Sequence, residues 1–326
     1  VSAPTTVVAQ SGAATVDRAT PEDFLRVLDL GRDGLHAVLD AAADVKARPE
    51  VWRGRHAGGT VVCLFDKPST RTRVSTAVAA HRLGLLPVLV SREDSQLSRG
   101  ETIEDTGRVL SAYADAIVIR THAHETLSRL AGAASVPVVN ALSDDHHPCQ
   151  ALADALTLRE HFGRLAGLRV AYVGDAYSNI CHSLIEVAVM TGMRLTIAAP
   201  AAYHPDPAVL AGARAAGGEG TVTVVEDPAE ALRDAHAVYP EIWVPMDKEH
   251  LRAEREADLR RYRVGDAEMA LAGPDAVLLH CLPAYRGREV SAQVLDGPRS
   301  VVWQQAANRL PTAQAVLHLL LAGSYT

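Results

Sequence analysis

The chain has few lysines, few cysteines, no long apolar run and none of the common nucleotide or hydrolase signatures. Only three of its 32 basic residues are lysines, Lys46, Lys67 and Lys248, and the rest are arginine. Against 39 acidic residues they leave a formal charge of −7, the wrong sign for a general affinity for nucleic acid or an anionic membrane. The four cysteines, Cys63, Cys149, Cys181 and Cys281, lie far apart without a CxxC pair, which fits free thiols in a reducing cytoplasm. No stretch approaches the roughly 18 apolar residues a membrane-spanning helix needs. Residues 1–17 carry neither a basic start nor a solid apolar block, so they are expected to be a disordered leader and not a secretory signal. The absence of GxGxxG and GxxxxGK[ST] argues against a nicotinamide dehydrogenase and a P-loop enzyme. The absence of GxSxG and HExxH removes the simplest hydrolase readings. His147/Cys149, Cys181/His182 and His280/Cys281 are near neighbours, yet none has a zinc-site spacing. No metal or cofactor is expected.

What is present is alternation. At 326 residues and 48% hydrophobic, the chain is long enough for two domains. Apolar runs at 60–65, 87–90, 115–120 and 136–139 read as one series of strands, and 168–173, 194–198, 221–225, 276–280 and 300–302 as a second. Amphipathic stretches at 72–83, 103–114, 125–133, 151–162 and 179–191 separate them, which implies βαβ units and parallel sheets. Runs such as Val170–Val173 are apolar on both faces, so helices should cover both sides. The expected fold is α/β, two doubly wound parallel-sheet domains, with the break near residue 150 and a last helix over 311–321.

Three clusters carry chemistry. Ser69-Thr70-Arg71-Thr72-Arg73 follows the strand ending at Phe65 and opens a helix, where free N–H groups and the positive dipole end attract an anion. Arg71 can add a bidentate contact to phosphate oxygens, although Ser69 or Thr70 can also serve simply as a helix cap. His147-Pro148-Cys149-Gln150 stands at a strand-to-helix junction, where an imidazole donor and an amide acceptor can meet a carbonyl and an NH2 group. A helix start with proline near N1 explains the same residues. His280-Cys281-Leu282-Pro283 follows the run ending at Leu279, and Cys281 by itself reads as a small buried hydrophobe.

Taken together and in this order, the three clusters closely resemble the ornithine carbamoyltransferase family, within the aspartate/ornithine transcarbamoylase group. The likeness runs from about Phe24 to Leu321. It implies a carbamoyl-phosphate domain over 18–150, an acceptor-amine domain over 151–305, and a C-terminal segment, 306–326, packing back on the first. It implies a homotrimer, or a multiple of trimers, with sites shared between subunits. By motif match, Ser69, Thr70, Arg71 and Thr72 would hold the phosphate, with Arg309 as a further contact. Arg120, His147 and Thr72 would polarise the carbonyl oxygen, and Gln150 with the Leu282 backbone would hold the carbamoyl NH2. Gln96 would reach into the neighbouring subunit's site. The reaction implied is attack of a side-chain amine on carbamoyl phosphate, with Arg71, Arg120, His147, Gln150 and Cys281 as its catalytic set. Arginine and histidine donors would stabilise the charge that develops, and Cys281 or the phosphate would take the amine's proton.

The acceptor side departs from the family pattern. Where the family has Gly-Asp-Gly-Asn-Asn, this chain reads Gly174-Asp175-Ala176-Tyr177-Ser178-Asn179, one residue longer and keeping, of the two asparagines, only Asn179. Where it has Asp-x-Trp-x-Ser-Met-Gly, this chain reads Glu241-Ile242-Trp243-Val244-Pro245-Met246-Asp247. Pro245 offers neither hydroxyl nor N–H, Glu241 reaches one methylene further, and Asp247 adds a charge. Asn179, Glu241, Pro245, Met246, Asp247 and Cys281 are the acceptor candidates. The amine is expected to be ornithine, or a 2,3-diaminopropionate-like, lysine-like or modified amino acid. The reading from another class is an inactive relative that still binds an anion.

Overall fold

The computed structural model describes residues 22–245 and 248–323. The leader at 1–17 and the acceptor candidates Met246 and Asp247 lie outside the described residues.

Two parallel sheets form. The first contains β1 (Thr60–Phe65), β2 (Leu86–Ser91), β3 (Ala116–Arg120) and β4 (Val138–Leu142) in the order β2-β1-β3-β4. The second contains β5 (Arg169–Val173), β6 (Arg194–Ala198), β7 (Thr221–Val225), β8 (Ala237–Pro240) and β9 (Val277–Leu278) in the order β7-β6-β5-β8-β9. Helices cover both sheets: α1 (Gly31–Ala47), α2 (Arg71–Leu83), α3 (Ile103–Ser111) and α4 (His124–Ala133) come in the first half. α5 (Pro148–Phe162) carries the chain across, and α6 (Asn179–Thr191) and α7 (Pro207–Ala215) follow. The last helix, α8 (Val302–Ala322), packs on α1, α2 and α5, so the chain's end returns to the first domain.

Strand order matters more than strand count for placing a site. In the first sheet the order reverses between β1 and β3, where Phe65 pairs with Arg120. In the second it reverses between β5 and β8, where Val173 pairs with Pro240. Open parallel sheets hold ligands outside the strands' carboxyl ends at such switch points. The Ser69–Arg73 segment and Arg120 leave the first switch point. Gly174 and Glu241 leave the second, the Glu241 N–H donating to the Val173 carbonyl at 3.0 Å.

Three expectations change. The four-residue strand β8 is absent from the sequence reading, because a short run ending in proline carries little periodicity. The 300–302 run is no strand: Ser300 makes one bridge to Leu278, and Val302 begins α8. That helix starts nine residues before the expected 311, and Pro311 lies inside it at the cost of one helical hydrogen bond.

Candidate active site

At the first switch point the capping explanation loses ground. Thr70 occupies the N-cap of α2 but makes no side-chain hydrogen bond to the helix, so the N-terminal N–H groups face outward. Arg71, exposed beside them, donates through Nη2 to the Leu282 carbonyl at 2.6 Å, which brings the start of α2 against the loop after β9. Thr72 is buried, and its hydroxyl accepts from Arg309 Nη2 at 3.0 Å. Arg309, buried on α8, also donates through Nη1 to Gln150 Oε1 at 2.7 Å. Residues 72, 150, 282 and 309 therefore converge from α2, α5, the post-β9 loop and α8.

The electrostatics are those of an anion site. Arg71 and Arg309 contact neutral oxygens, and the buried Nε of Arg120 has no partner. Burial, then the Arg309 and Arg71 guanidinium groups, lower Arg120 to about 10. Burial also pulls Arg309 down, with Arg71 adding to it. His147 is 5% exposed, and its Nδ1 has no partner. Burial and the three guanidinium groups of Arg309, Arg120 and Arg71 hold its imidazole well below the usual range, so it is neutral. A neutral ring among concentrated positive charge donates a hydrogen bond without adding to the repulsion. The ring is set by its backbone: the His147 N–H donates to Ser183 Oγ at 2.8 Å.

At the second switch point Glu241 is 4% exposed. Its Oε2 accepts from Tyr172 OH at 2.6 Å, its Oε1 accepts from the Ile242 N–H at 3.1 Å, and Cys281 Sγ stands 3.9 Å from Oε1. Burial raises the Glu241 carboxyl to about 8, against the Tyr172 bond that lowers it and Asp175 that raises it further. Desolvation and then Glu241 push the Cys281 thiol well above its ordinary value. Cys281 therefore stays a thiol at neutral pH, which speaks against it as the proton acceptor, and the raised Glu241 carboxyl is itself largely protonated there. Asn179 turns its amide to the Ser143 carbonyl at 2.7 Å, tying α6 to the loop that carries His147.

The structure thus brings together Arg71, Thr72, Arg120, His147, Gln150, Leu282 and Arg309, and separately Glu241 with Cys281. Ser69 and Thr70 lie at the mouth of α2. Gln96 sits in a 3-10 turn, Gln96–Arg99, with no buried residue, and is not among this cluster's hydrogen-bond partners. Pro245 lends its carbonyl to the Lys248 N–H at 2.9 Å. Sequence reasoning missed Asp154, Gln305 and Tyr172, all buried and hydrogen-bonded into the cluster. Asp154 was findable as a carboxylate one helical turn from Gln150. Among the described residues no group of three or more His, Cys, Asp or Glu could hold a metal ion, and no helix is long and apolar enough to cross a membrane.

Residues 22–160 match the description "Aspartate/ornithine carbamoyltransferase, carbamoyl-P binding domain", and residues 166–320 match "Aspartate/ornithine carbamoyltransferase, Asp/Orn binding domain". The chain belongs to the aspartate/ornithine carbamoyltransferase family. An ornithine carbamoyltransferase of Acidothermus cellulolyticus is 49% identical over 300 residues, 91% of this chain and 96% of that one. One from Hyperthermus butylicus is 46% identical over 307 residues, 92% of this chain and 97% of its own. Among solved structures, ornithine carbamoyltransferase from Pyrococcus furiosus superposes with a TM-score of 0.88 at 40% identity, covering 95% of this chain and all of that one. The enzyme from Thermus thermophilus gives 0.83 at 41% identity, over 92% and 99%. The chain is a carbamoyltransferase by family, with the two-sheet fold its relatives share.

Proposed function

We propose that the protein transfers the carbamoyl group of carbamoyl phosphate to the side-chain amine of ornithine, releasing phosphate and forming citrulline. The observation that carries this is the donor cluster. Three guanidinium groups and a neutral imidazole surround a helix N-terminus, and two of the guanidinium groups rest on the neutral oxygens of Gln150, Leu282 and Thr72. Those partners suit a phosphate dianion joined to a planar carbamoyl group.

In this reading Ser69, Thr70, Arg71, Thr72 and the N–H groups of α2 bind the phosphate, with Arg309 alongside. Arg120, His147 and Thr72 donate to the carbonyl oxygen, where negative charge grows as the amine attacks. Gln150 Oε1 and the Leu282 carbonyl accept from the carbamoyl NH2, each oxygen having a second lone pair beside its arginine. The bond from amine nitrogen to carbonyl carbon forms, the bond from that carbon to the phosphate oxygen breaks, and a proton leaves the nitrogen for the departing phosphate. Glu241 faces the incoming ammonium beside Cys281, with Asn179 and the 245–247 segment at the amino-acid end. Amine selection is costly: a group with a pKa near 10.4 is only about one part in a thousand neutral near pH 7.4.

Residues 18–150 and 151–305 are the donor and acceptor halves of this reading, and 306–326 returns to the first. The enzyme works in the cytoplasm as a homotrimer whose Gln96 completes a neighbour's site. The curated relatives favour ornithine. Pro245, lacking an N–H, favours a changed amino-acid end, and the test decides between them. Purified protein is given carbamoyl phosphate with ornithine, 2,3-diaminopropionate, lysine or no amine, and phosphate release and product mass are followed. Dominant turnover of ornithine is expected. Preference for another amine overturns the acceptor, and bound carbamoyl phosphate without turnover on any amine favours the inactive relative.

A further inference from the structure

Asp154 lies on α5 with no solvent exposure, beside the Tyr239 hydroxyl of β8. One of its oxygens does two things. Oδ1 accepts from Gln150 Nε2 at 2.8 Å and from Gln305 Nε2 at 2.6 Å, while Oδ2 has no partner. A primary amide whose NH2 is fixed has its carbonyl oxygen fixed as well. Gln150 therefore presents Oε1 to Arg309, and Gln305 presents Oε1 to the His280 N–H at 2.8 Å. From His280 the constraint continues: its Nδ1 accepts from the Leu282 N–H at 2.9 Å, and the Leu282 carbonyl accepts from Arg71. The two acceptors aimed at the carbamoyl NH2, Gln150 Oε1 and the Leu282 carbonyl, both trace back to a single carboxylate oxygen.

We propose that Asp154 is a positioning residue for carbamoyl transfer: it sets the orientation of the Gln150 amide directly and of the His280–Leu282 segment through Gln305. The inference rests on the carbamoyl-phosphate reading above. The physical reason is exclusion of a wrong state. With Oδ1 present, a turned Gln150 would aim its NH2 at the Arg309 guanidinium, donor against donor, and strip Asp154 of a bond. With Oδ1 removed, the unturned amide leaves its NH2 buried without an acceptor. Burial raises the Asp154 carboxyl to about 6 while both glutamines pull it back, so the group is an ionised acceptor at neutral pH.

The test uses the full-length wild type, Asp154→Asn and Asp154→Leu. Asparagine keeps an Oδ1 acceptor for both glutamines, and leucine removes it at similar volume. With carbamoyl phosphate varied, Asp154→Leu should lower kcat/KM about 100-fold, with the KM for the amine held within about threefold. Asp154→Asn should stay within about fivefold of wild type throughout. A general loosening of the fold would raise both KM values and would not be rescued by asparagine. If leucine prevents folding, Asp154→Ser, too short to reach either glutamine, should show the same split. Folded Leu or Ser variants with wild-type kcat/KM for carbamoyl phosphate overturn the proposal, as does an asparagine variant as impaired as leucine. Calorimetric binding of carbamoyl phosphate separates the two readings. A wild type that binds without turning over ornithine refutes the acceptor and leaves a weaker Kd in Asp154→Leu as the readout. A wild type that does not bind overturns both.

Discussion

Glu186 occupies a position where a carboxyl group is costly. It lies in the middle of α6, a helix buried on nearly every side, and is itself 1% exposed. Its Oε2 accepts from the Val27 N–H at 2.9 Å, and its Oε1 stands 3.8 Å from His146 Nδ1. Burial raises the carboxyl from 4.5 to about 7, against Arg26 and the Val27 and Leu28 N–H groups that lower it. His146, pulled down to about 3 first by burial and then by His124 and His182, stays neutral and supplies no counter-charge. The folded state thus holds this proton more tightly than the unfolded chain, so this residue's contribution to stability declines as pH rises from about 4.5 to about 7. Glutamine keeps an acceptor for Val27 and cannot ionise. Glu186→Gln should gain on wild type by up to about 3 kcal/mol between pH 4.5 and 8, read as the difference in urea unfolding at the two pH values. Parallel stabilities at both ends would show that the carboxyl is ordinary. At the acceptor side, Glu241→Gln removes the carboxyl that an incoming ammonium would ionise, while retaining an oxygen for Tyr172. It should lower kcat/KM for the amine about 100-fold while carbamoyl-phosphate affinity stays within about threefold. Cys281→Ser should leave the shape of the pH–rate profile unchanged, because the thiol does not ionise in the working range.

At the level of elements, local pattern and long-range pairing separate what could be read from what could not. β1, β6, β7 and α6 have the bounds their apolar runs suggest. Each is a continuous segment whose neighbours in sequence are also its neighbours in space. β8 escaped because Ala237–Pro240 is short, yet it flanks the second switch point and delivers Glu241. The donor motifs were legible as motifs because each sits at one strand end. The bonds that align them were not, since Asp154 and Gln305 are 151 residues apart and nothing local to either marks the other. The turn before β7 gives the same lesson in backbone form. A Cβ on Gly220 would lie 2.0 Å from the Ala188 carbonyl oxygen and 2.7 Å from its carbon, in the last turn of α6. That obstacle is backbone, which cannot step aside as a flexible side chain can. Gly220→Ala should cost about 2–4 kcal/mol. Gly212→Ala on α7, where a Cβ meets nothing within 4 Å, should be neutral or stabilising by up to about 1 kcal/mol. Urea midpoints of the two variants check both, and equal midpoints would mean that the α6–β7 contact gives way cheaply.

For the whole molecule, the first sheet ends on an edge that a solitary chain leaves in water. β2 is the outer strand, and Leu86 and Leu89 are 62% and 46% exposed, with Val88 beside them and Val74 on α2 at 57%. An apolar edge strand of this kind invites association unless something covers it. Gln96 opens the 3-10 turn that follows that strand and is not among the hydrogen-bond partners of its own chain's donor cluster. The two observations meet if the face is where subunits join and Gln96 crosses over. In a head-to-tail ring each interface is formed by two different patches, so every site takes its donor cluster from one subunit and its Gln96 from the next. Leu89→Asp should then shift the sedimenting mass from three times the 34.7 kDa of one chain toward a single chain, and lose activity with it. Mixed rings test the sharing itself. Gln96→Ala subunits retain His147, and His147→Ala subunits retain Gln96, so each pure population should be nearly inactive. Dissociated, mixed in equal amounts and reassembled at random, they create sites that draw His147 from the first kind and Gln96 from the second. Such pairs make up about a quarter of all sites in a closed ring, so about a quarter of wild-type turnover should return. Recovery no greater than the sum of the separate variants would mean that each chain completes its own site, and the apolar edge would then need another occupant.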